Sequence, residues 1–404
     1  MFEFLRKARA PEMASGAVSE AKASAVGPLT AGRIRDKGAV FGAAGAAWTA
    51  RDGVSLARAG FLGNPVGFRA VRLISEAASA LPLVVQDCAR RYESHPVLDL
   101  ITRPNPAQGR AELFEALYAQ LLLSGNAYLE MVTDAEGAAR ELHVLRSDRM
   151  RVVPGADGWP VAYDYAVGSA KHRFHLREGR SPVCHIRAFH PQNDHYGLSP
   201  LEAARRAVDV HNAASNWSKA LLDNAARPSG AIVYKGPEGQ GSMSNEQFER
   251  LQAEMEAHHQ GAKNAGRPML LEGGLDWKPM GFSPSDMEFH RTKEAAAREI
   301  AIAFGVPPML LGIPGDATYA NYQEANRAFY RLTVLPMAMR VTASVAHWLS
   351  GFVEGDVALK PDLDQVPALA VEREQQWRRV GEATFLSDAE KRVLLGLPPV
   401  VDGA

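Results

Sequence analysis

Cysteine is nearly absent from this sequence: its 404 residues hold only Cys88 and Cys184, far apart and in no CxxC spacing. That argues against a disulfide framework and against a cysteine-based zinc site, and leaves two isolated thiols in a reducing compartment. A charge excess is missing as well. The 45 basic and 46 acidic residues leave a formal net charge of −1, whereas a protein that grips nucleic acid through phosphate contacts carries a basic surplus. Tight static binding of DNA is therefore not expected. A surface along which DNA slides remains allowed, because strong attraction would hinder movement. No apolar run reaches the roughly 20 residues that span a bilayer. Met1–Ala10 is charged with no apolar stretch behind it, so neither a membrane span nor a secretory leader is expected.

Catalytic motifs are missing too. There is no GxxxxGK[ST]; the glycines of Gly236–Gly241 lack the Lys-Ser/Thr ending and a helix start in register, so they do not cradle a phosphate. Gly197-Leu198-Ser199-Pro200 lacks the second glycine of a nucleophile elbow, and Ser199 reads instead as a helix cap. His172, His175, His185, His190 and His195 gather loosely near Cys184 and Asp194, without the tight ligand pairs of a zinc site and without HExxH. They read as surface or hydrogen-bonded histidines. Asp362 with Asp364, and Glu372 with Glu374, read as solvated faces, and Arg373–Arg379 as a mixed helix face. No cofactor, metal or catalytic constellation is expected.

What is present is an ordinary globular balance, 46% hydrophobic and 23% charged, in a chain long enough for two or three domains or one elongated subunit. Residues 10–60 are rich in Ala, Gly and Ser and read as a flexible arm, with order beginning near Gly63. Val66–Ala80 has helical spacing, with Val71, Ile74 and Ala78 near one face, followed by extended Leu81–Val85. A second helix carries Leu113, Leu117 and Leu121 on one side and stops at Gly125-Asn126. Short strands follow at Tyr128–Val132, Glu141–Leu145 and Arg149–Val153. The first half therefore reads as α+β, and the second half as mainly helical.

Helix starts in the second half are well marked by capping sequences at Ser199–Glu202, Ser244–Gln247 and Ser387–Glu390, while Ser283–Asp286 opens a helix ending at Gly305. The helix from Pro200 to about Ala226 spans roughly 40 Å. Its apolar face is broad, with Val208, Val210, Trp217, Leu221 and Leu222 among its members. Arg205, Asp209, Asn212, Asn216, Lys219 and Asp223 form the narrow polar strip that is left. A helix packed on two sides explains this, and so does the central helix of a monomer. Between the long helices lies a small βαββ module built from Ser229–Tyr234, the helix after Ser244, Met269–Glu272 and Asp276–Pro279. Leu311–Asp316 is too rich in Gly and Pro for a helix; periodicity resumes near Asn321, and Pro336 predicts a kink. Glu294 and Arg298 stand at i and i+4, as a surface ion pair.

Several stretches, taken together and in order, resemble the portal proteins of tailed double-stranded-DNA bacteriophages and gene transfer agents. They are Arg69–Val85, His95–Leu98 with Arg103–Pro106, Leu123–Tyr128, Tyr196–Leu201, Pro228–Gly230, Ile300–Pro308, and Glu390–Arg392 with Gly396–Pro399. The resemblance implies a portal-type subunit: residues 1–60 an arm, 61–197 an α+β wing, 198–226 a first stem helix, and 227–283 a βαββ clip. Next would come a second stem helix (284–305), a tunnel-loop region (306–322), a kinked wing helix and return (323–369), and a short C-terminal crown (370–404). It further implies a homo-oligomeric ring, a dodecamer, at one capsid vertex, with double-stranded DNA passing through it. The terminase large subunit, a head–tail adaptor and the major capsid protein would be its partners, with no membrane. The place would be a virion or phage-like particle, assembled in the bacterial cytoplasm. Asp316, Thr318, Tyr319 and Asn321 would sit in the tunnel loop nearest DNA, the polar strip would face the channel, and Val208, Val210, Trp217, Leu221 and Leu222 would pack subunits together. Two other readings exist: a capsid-associated maturation enzyme, which would need a nucleophile–base pair or metal cluster, and a helical scaffold without DNA.

Overall fold

The computed structural model describes residues 48–87, 90–177, 181–223, 230–234, 244–258, 275–279, 289–315, 319–353 and 358–398. Order begins earlier than composition implied. Asp52 caps a short helix, α1 (Gly53–Ala57), by accepting from the Ser55 N–H, and a π-turn, Arg58–Leu62, follows. Leu56 is buried in the main core. The Ala/Gly/Ser bias hid this strap because its few core-packed side chains, Leu56, Ala59 and Phe61, carry no periodic signal.

Helix α2 (Pro65–Ser79) starts on Asn64, whose side chain accepts from Val66 and Gly67, with Pro65 in the first turn where a missing N–H costs nothing. Strands β1 (Leu83–Gln86) and β2 (Arg91–Tyr92) follow, then helix α3 (Pro96–Thr102) and helix α4 (Arg110–Ser124). Val71, Ile74 and Ala78 of α2 face Leu113, Leu117 and Leu121 of α4, all buried. Each large aliphatic side chain so buried stabilises by about 1.5–3 kcal/mol. Gly125, at φ 73, ends α4 in the left-handed conformation.

Strands β3 (Asn126–Thr133), β4 (Ala139–Leu145), β5 (Met150–Pro154), β6 (Pro160–Val167), β7 (Ala170–His175) and β8 (Val183–Arg187) build two antiparallel sheets, ordered β4-β3-β8 and β5-β6-β7. Strand β3 is buried on both faces. Ala127 and Leu129 face the helical core, whereas Tyr128 joins Met150, Val152, Tyr163 and Phe174 in a second, smaller core.

The predicted long helix from Pro200 is interrupted. A first turn, α5 (Pro200–Ala203), ends at Ala204, and α6 runs Arg205–Asp223. Strand β9 (Gly230–Tyr234), helix α7 (Asn245–His258) and strand β10 (Leu275–Pro279) follow, with β9 and β10 antiparallel. The fourth piece of the expected module, Met269–Glu272, and the helix start at Ser283–Asp286 lie outside the described residues, as does Gly236–Gly241. Helix α8 (Phe289–Phe304) packs along α6.

Helix α9 (Tyr319–Phe329) continues through a π-turn, Tyr330–Val334, into α10 (Leu335–Leu349). This is how the helix accommodates Pro336: its ring would collide with the carbonyl four residues back, and the wider turn relieves that. Strand β11 (Ala358–Pro361) then returns to pair with β1, Leu83 opposite Pro361, in a sheet ordered β11-β1-β2. Helices α11 (Ala370–Glu382) and α12 (Asp388–Leu394) close the chain as a hairpin.

The two aspartates expected on a solvated face are engaged instead. Asp362 is buried and accepts from Arg91 at 2.7 Å and Gln365 at 2.7 Å. Asp364 accepts from Arg373 at 2.6 Å and from the Trp377 indole at 2.9 Å, and the Arg373 guanidinium holds its carboxyl below the usual range. Sequence shows two acids in a polar stretch but not the arginines, one of them 271 residues away, that the fold brings to them.

Candidate functional site

The α6/α8 pair is the framework on which the predicted site residues sit. The buried side of α6 is Ala207, Val208, His211 and Ala214; that of α8 is Ala296, Ala297, Ile300, Ala301 and Phe304. Small residues on both helices permit close approach. Val208, at 2% exposure, is consumed inside this core and cannot bury further surface against a neighbour. Val210 and Trp217 are half-buried, whereas the side chains of Leu221, Leu222 and Asp223 lie outside the described residues.

The polar strip of α6 divides in two. Its first half is occupied by the strap. Asp209 accepts from the Thr49 N–H at 3.0 Å and from the Thr49 hydroxyl, while Arg205 donates to the Thr49 carbonyl at 2.8 Å. Asn212 donates to the Ala59 carbonyl at 2.9 Å and accepts from Asn64 at 2.9 Å. Asn216 and Lys219, further along, are exposed. Asn64 also reaches His211 Nδ1 at 3.1 Å, and burial, then nearby Lys293, pushes the imidazole pKa of His211 down. The missed residues are therefore Thr49, Asn64 and His211. Asn64-Pro65 is itself a helix-start signature, which could have found the second of them.

At the far end of α8, Gly305 turns the chain at φ 66, and the Thr333 hydroxyl donates to its carbonyl at 2.6 Å. Arg298 donates to the Pro314 carbonyl, so α8 holds the segment that precedes the predicted loop. The expected Glu294–Arg298 pair is replaced by this contact and by Glu294 with His290 at 3.3 Å. Asp316 and Thr318 lie outside the described residues; Tyr319 begins α9, and Asn321 is exposed on its first turn.

The histidines divide by environment. His185 stacks on Tyr128 with ring centroids 4.2 Å apart, and burial first, then Arg187 and His195, pushes its pKa down to about 3. It donates from Nε2 to Asn126 at 3.0 Å and sits 3.4 Å from the Tyr163 hydroxyl at Nδ1, a network that assigns the neutral Nε2–H tautomer. Burial pushes the Cys184 thiol up to about 12. Among the described residues no group of three potential metal ligands occurs, and no helix is long and apolar enough to cross a membrane. Ser199 is buried and caps α5 by accepting from the Glu202 N–H, as read from sequence.

The resembling stretches meet in space. Gly125 and Gly197 cross so closely that a Cβ on Gly197 would fall 2.1 Å from the Gly125 carbonyl oxygen. Pro104 and Asn105 both bond Leu142 of β4, the latter at 2.9 Å, and Arg392 donates to the Pro398 carbonyl at 2.8 Å.

Comparison with known proteins agrees with this arrangement. The chain is similar to one in the neck of an empty gene transfer agent particle computed with C6 symmetry, at 73% identity and TM-score 0.71, covering 88% of this chain and 96% of that one. It is similar to one in a native particle neck computed with C12 symmetry, at 71% identity and TM-score 0.69, over 87% and 95% of the two chains. The portal protein of Enterobacteria phage HK97 is 27% identical across 79% of its length and 83% of this chain. A family model described as phage portal protein matches residues 65–396, from the start of α2 to the end of the C-terminal hairpin, and the chain belongs to that family.

Proposed function

We propose that this portal protein assembles as a ring of twelve at one capsid vertex, forming the conduit for double-stranded DNA during packaging and exit. The observation that carries the reading is the α6/α8 pair flanking β9–α7–β10, within a chain matched by the family model along nearly all of its described length. In this reading 198–226 and 284–305 are the stem, and 227–283 is the clip that meets first the terminase large subunit and then the head–tail adaptor. Residues 61–197 and 323–369 form the wing against the major capsid protein, 306–322 the tunnel-loop region and 370–404 the crown. Asp316, Thr318, Tyr319 and Asn321 lie nearest DNA.

The lumen role falls to Asn216 and Lys219, the exposed half of the described strip, and to Asp223, whose side chain lies outside the described residues. Arg205, Asp209 and Asn212 are already bonded to the strap. Val210, Trp217, Leu221 and Leu222 pack against ring neighbours. The protein moves no DNA by itself; a separate ATPase docked on the clip does so, and assembly takes place in the bacterial cytoplasm before incorporation into the particle.

Electron microscopy of the purified protein tests this: rings with an open axial hole are expected. A compact monomer, alone and with its capsid partners supplied, overturns it. A near-neutral lumen further predicts that DNA binding by isolated rings falls only shallowly with salt. A steep log–log slope, the mark of many released counterions, contradicts that lining.

A further inference from the structure

We propose that Phe385 is a knob that inserts into a cleft on the neighbouring copy of this chain, locking the C-terminal hairpins of the ring to one another. The inference rests on the ring reading above and adds the surfaces that meet.

Phe385 is 85% exposed, at the turn between α11 and α12. Val393 and Leu394 are also largely exposed, at 60% and 53%. A lone exposed apolar side chain is ordinary, but three large ones on one short hairpin mark a contact surface. The turn is also held firmly. Ser387 and Glu390 form a reciprocal capping box, Lys391 donates to the Gly381 carbonyl at 3.3 Å, and Arg373 and Gln376 bond the Leu395 and Leu394 carbonyls. An aromatic presented on so fixed a turn loses little entropy on docking.

The matching cavity lies on the outer face of the β11-β1-β2 sheet. Val85 and Leu359 point into the core, so their strand neighbours Val84 and Lys360, which are paired across β1 and β11, face the other way. Beside them α10 contributes the exposed Ala343 and the buried Ala346, and Leu397 closes the end of a cleft of about 600 Å³. Its charged lining is mixed: Arg91 is paired with Asp362 and Arg373 with Asp364, and exposed Lys360 adds a further positive charge at the rim. The knob is flanked by acids, since Glu382 and Asp388 stand exposed on either side of Phe385.

A ring built head to tail needs two different, complementary patches on each subunit. The knob and the cleft supply apolar shape, Lys360 at the rim is opposite in charge to Glu382 and Asp388 beside the knob, and the Arg91 guanidinium, itself held by Asp362, presents a plane that suits an aromatic face. The similar chains in C6 and C12 necks show that such chains occur in cyclic arrangements.

The test uses the full chain in a Cys88→Ser background, in preparations where the parent forms rings by electron microscopy. Mixing Phe385→Cys chains with Ala343→Cys chains and adding a short bis-maleimide should yield covalent dimers. The double variant should yield a ladder of higher species on a denaturing gel. Phe385→Asp should weaken ring assembly by about tenfold or more while leaving the melting of the monomer unchanged, because the side chain is exposed. Lys360→Glu should weaken it as well, and adding Glu382→Lys should restore it. Absence of intermolecular products in intact rings, a cross-link confined within one subunit, or normal assembly of Phe385→Asp overturns the inference and leaves the ring standing. A parent chain that forms no ring overturns the ring reading itself.

Discussion

The side-chain oxygen of Asn126 accepts a hydrogen bond from the backbone N–H of Gly197 at 2.8 Å, joining the first residue of β3 to the residues that lead into α5 and α6. The same oxygen accepts from His185 at 3.0 Å, and the Asn126 amide donates back to Ser124 at 2.8 Å. Asn126 is buried, so one side chain fixes where the α+β half hands over to the helical half.

Asn126→Ala strips partners from a buried N–H and a buried imidazole at once. A loss of about 2–4 kcal/mol is expected, since orphaned buried donors carry their full desolvation cost. Denaturant titration of the variant measures it; a loss below about 0.5 kcal/mol, the range of a neutral surface change, contradicts the assignment.

Gly197→Ala should be worse than Gly158→Ala although only the latter has a positive φ, of 83. A Cβ at Gly158 meets nothing within 4 Å, whereas at Gly197 it meets the Gly125 oxygen at 2.1 Å and the Ala188 nitrogen at 2.6 Å. Gly158→Ala should cost about 1–2 kcal/mol of backbone strain. Gly197→Ala should fail to give soluble protein or melt far lower. Comparing the two by thermal melting decides whether contact or torsion dominates.

His185 gives a pH prediction. Its folded pKa, about 3, lies below the unfolded value of about 6.5, so between these values the unfolded chain holds the extra proton. Its contribution is complete above the unfolded value and is lost as pH falls toward 3, at up to about 1.4 kcal/mol per unit. His185→Gln should flatten the dependence of stability on pH in that window. An unchanged slope would show that His185 titrates normally.

Asp209→Ala removes both bonds to Thr49. The expected result is a local loss of about 1–2 kcal/mol, read as faster hydrogen exchange at residues 48–60 with α10 unaffected. Uniformly faster exchange would show that the strap is integral to global stability.

Sequence disclosed what periodicity and capping encode. The α2 and α4 faces, strands β3, β4 and β5, Ser199 and Ser387 as caps, and the interruption near Pro336 all lie within a few residues of their predicted places. It did not disclose pairings made over distance. β11 finds β1 across the chain, and Tyr128 looks into a second core because a sheet covers it, which no alternation pattern in β3 could announce. The polar strip of α6 was legible as a strip, but not as a docking track for Thr49, because a threonine in an Ala-rich stretch carries no signal. The break at Ala204 went unseen for the same reason: alanine is a strong helix former, and packing overrides it.

The π-turn at Tyr330–Val334 carries a consequence for indels. In it the Leu335 N–H bonds the Tyr330 carbonyl, five residues back, so the segment holds one residue more than an α-helix of equal hydrogen bonding would. Deleting Leu332, which is exposed, would let the same Tyr330–Leu335 pair close at ordinary α-helical spacing, keeping α9 and α10 in phase but pressing the Pro336 ring against the carbonyl four residues before it. The surplus residue is thus the room the helix makes for its proline, and shortening the turn would turn that accommodation into a clash.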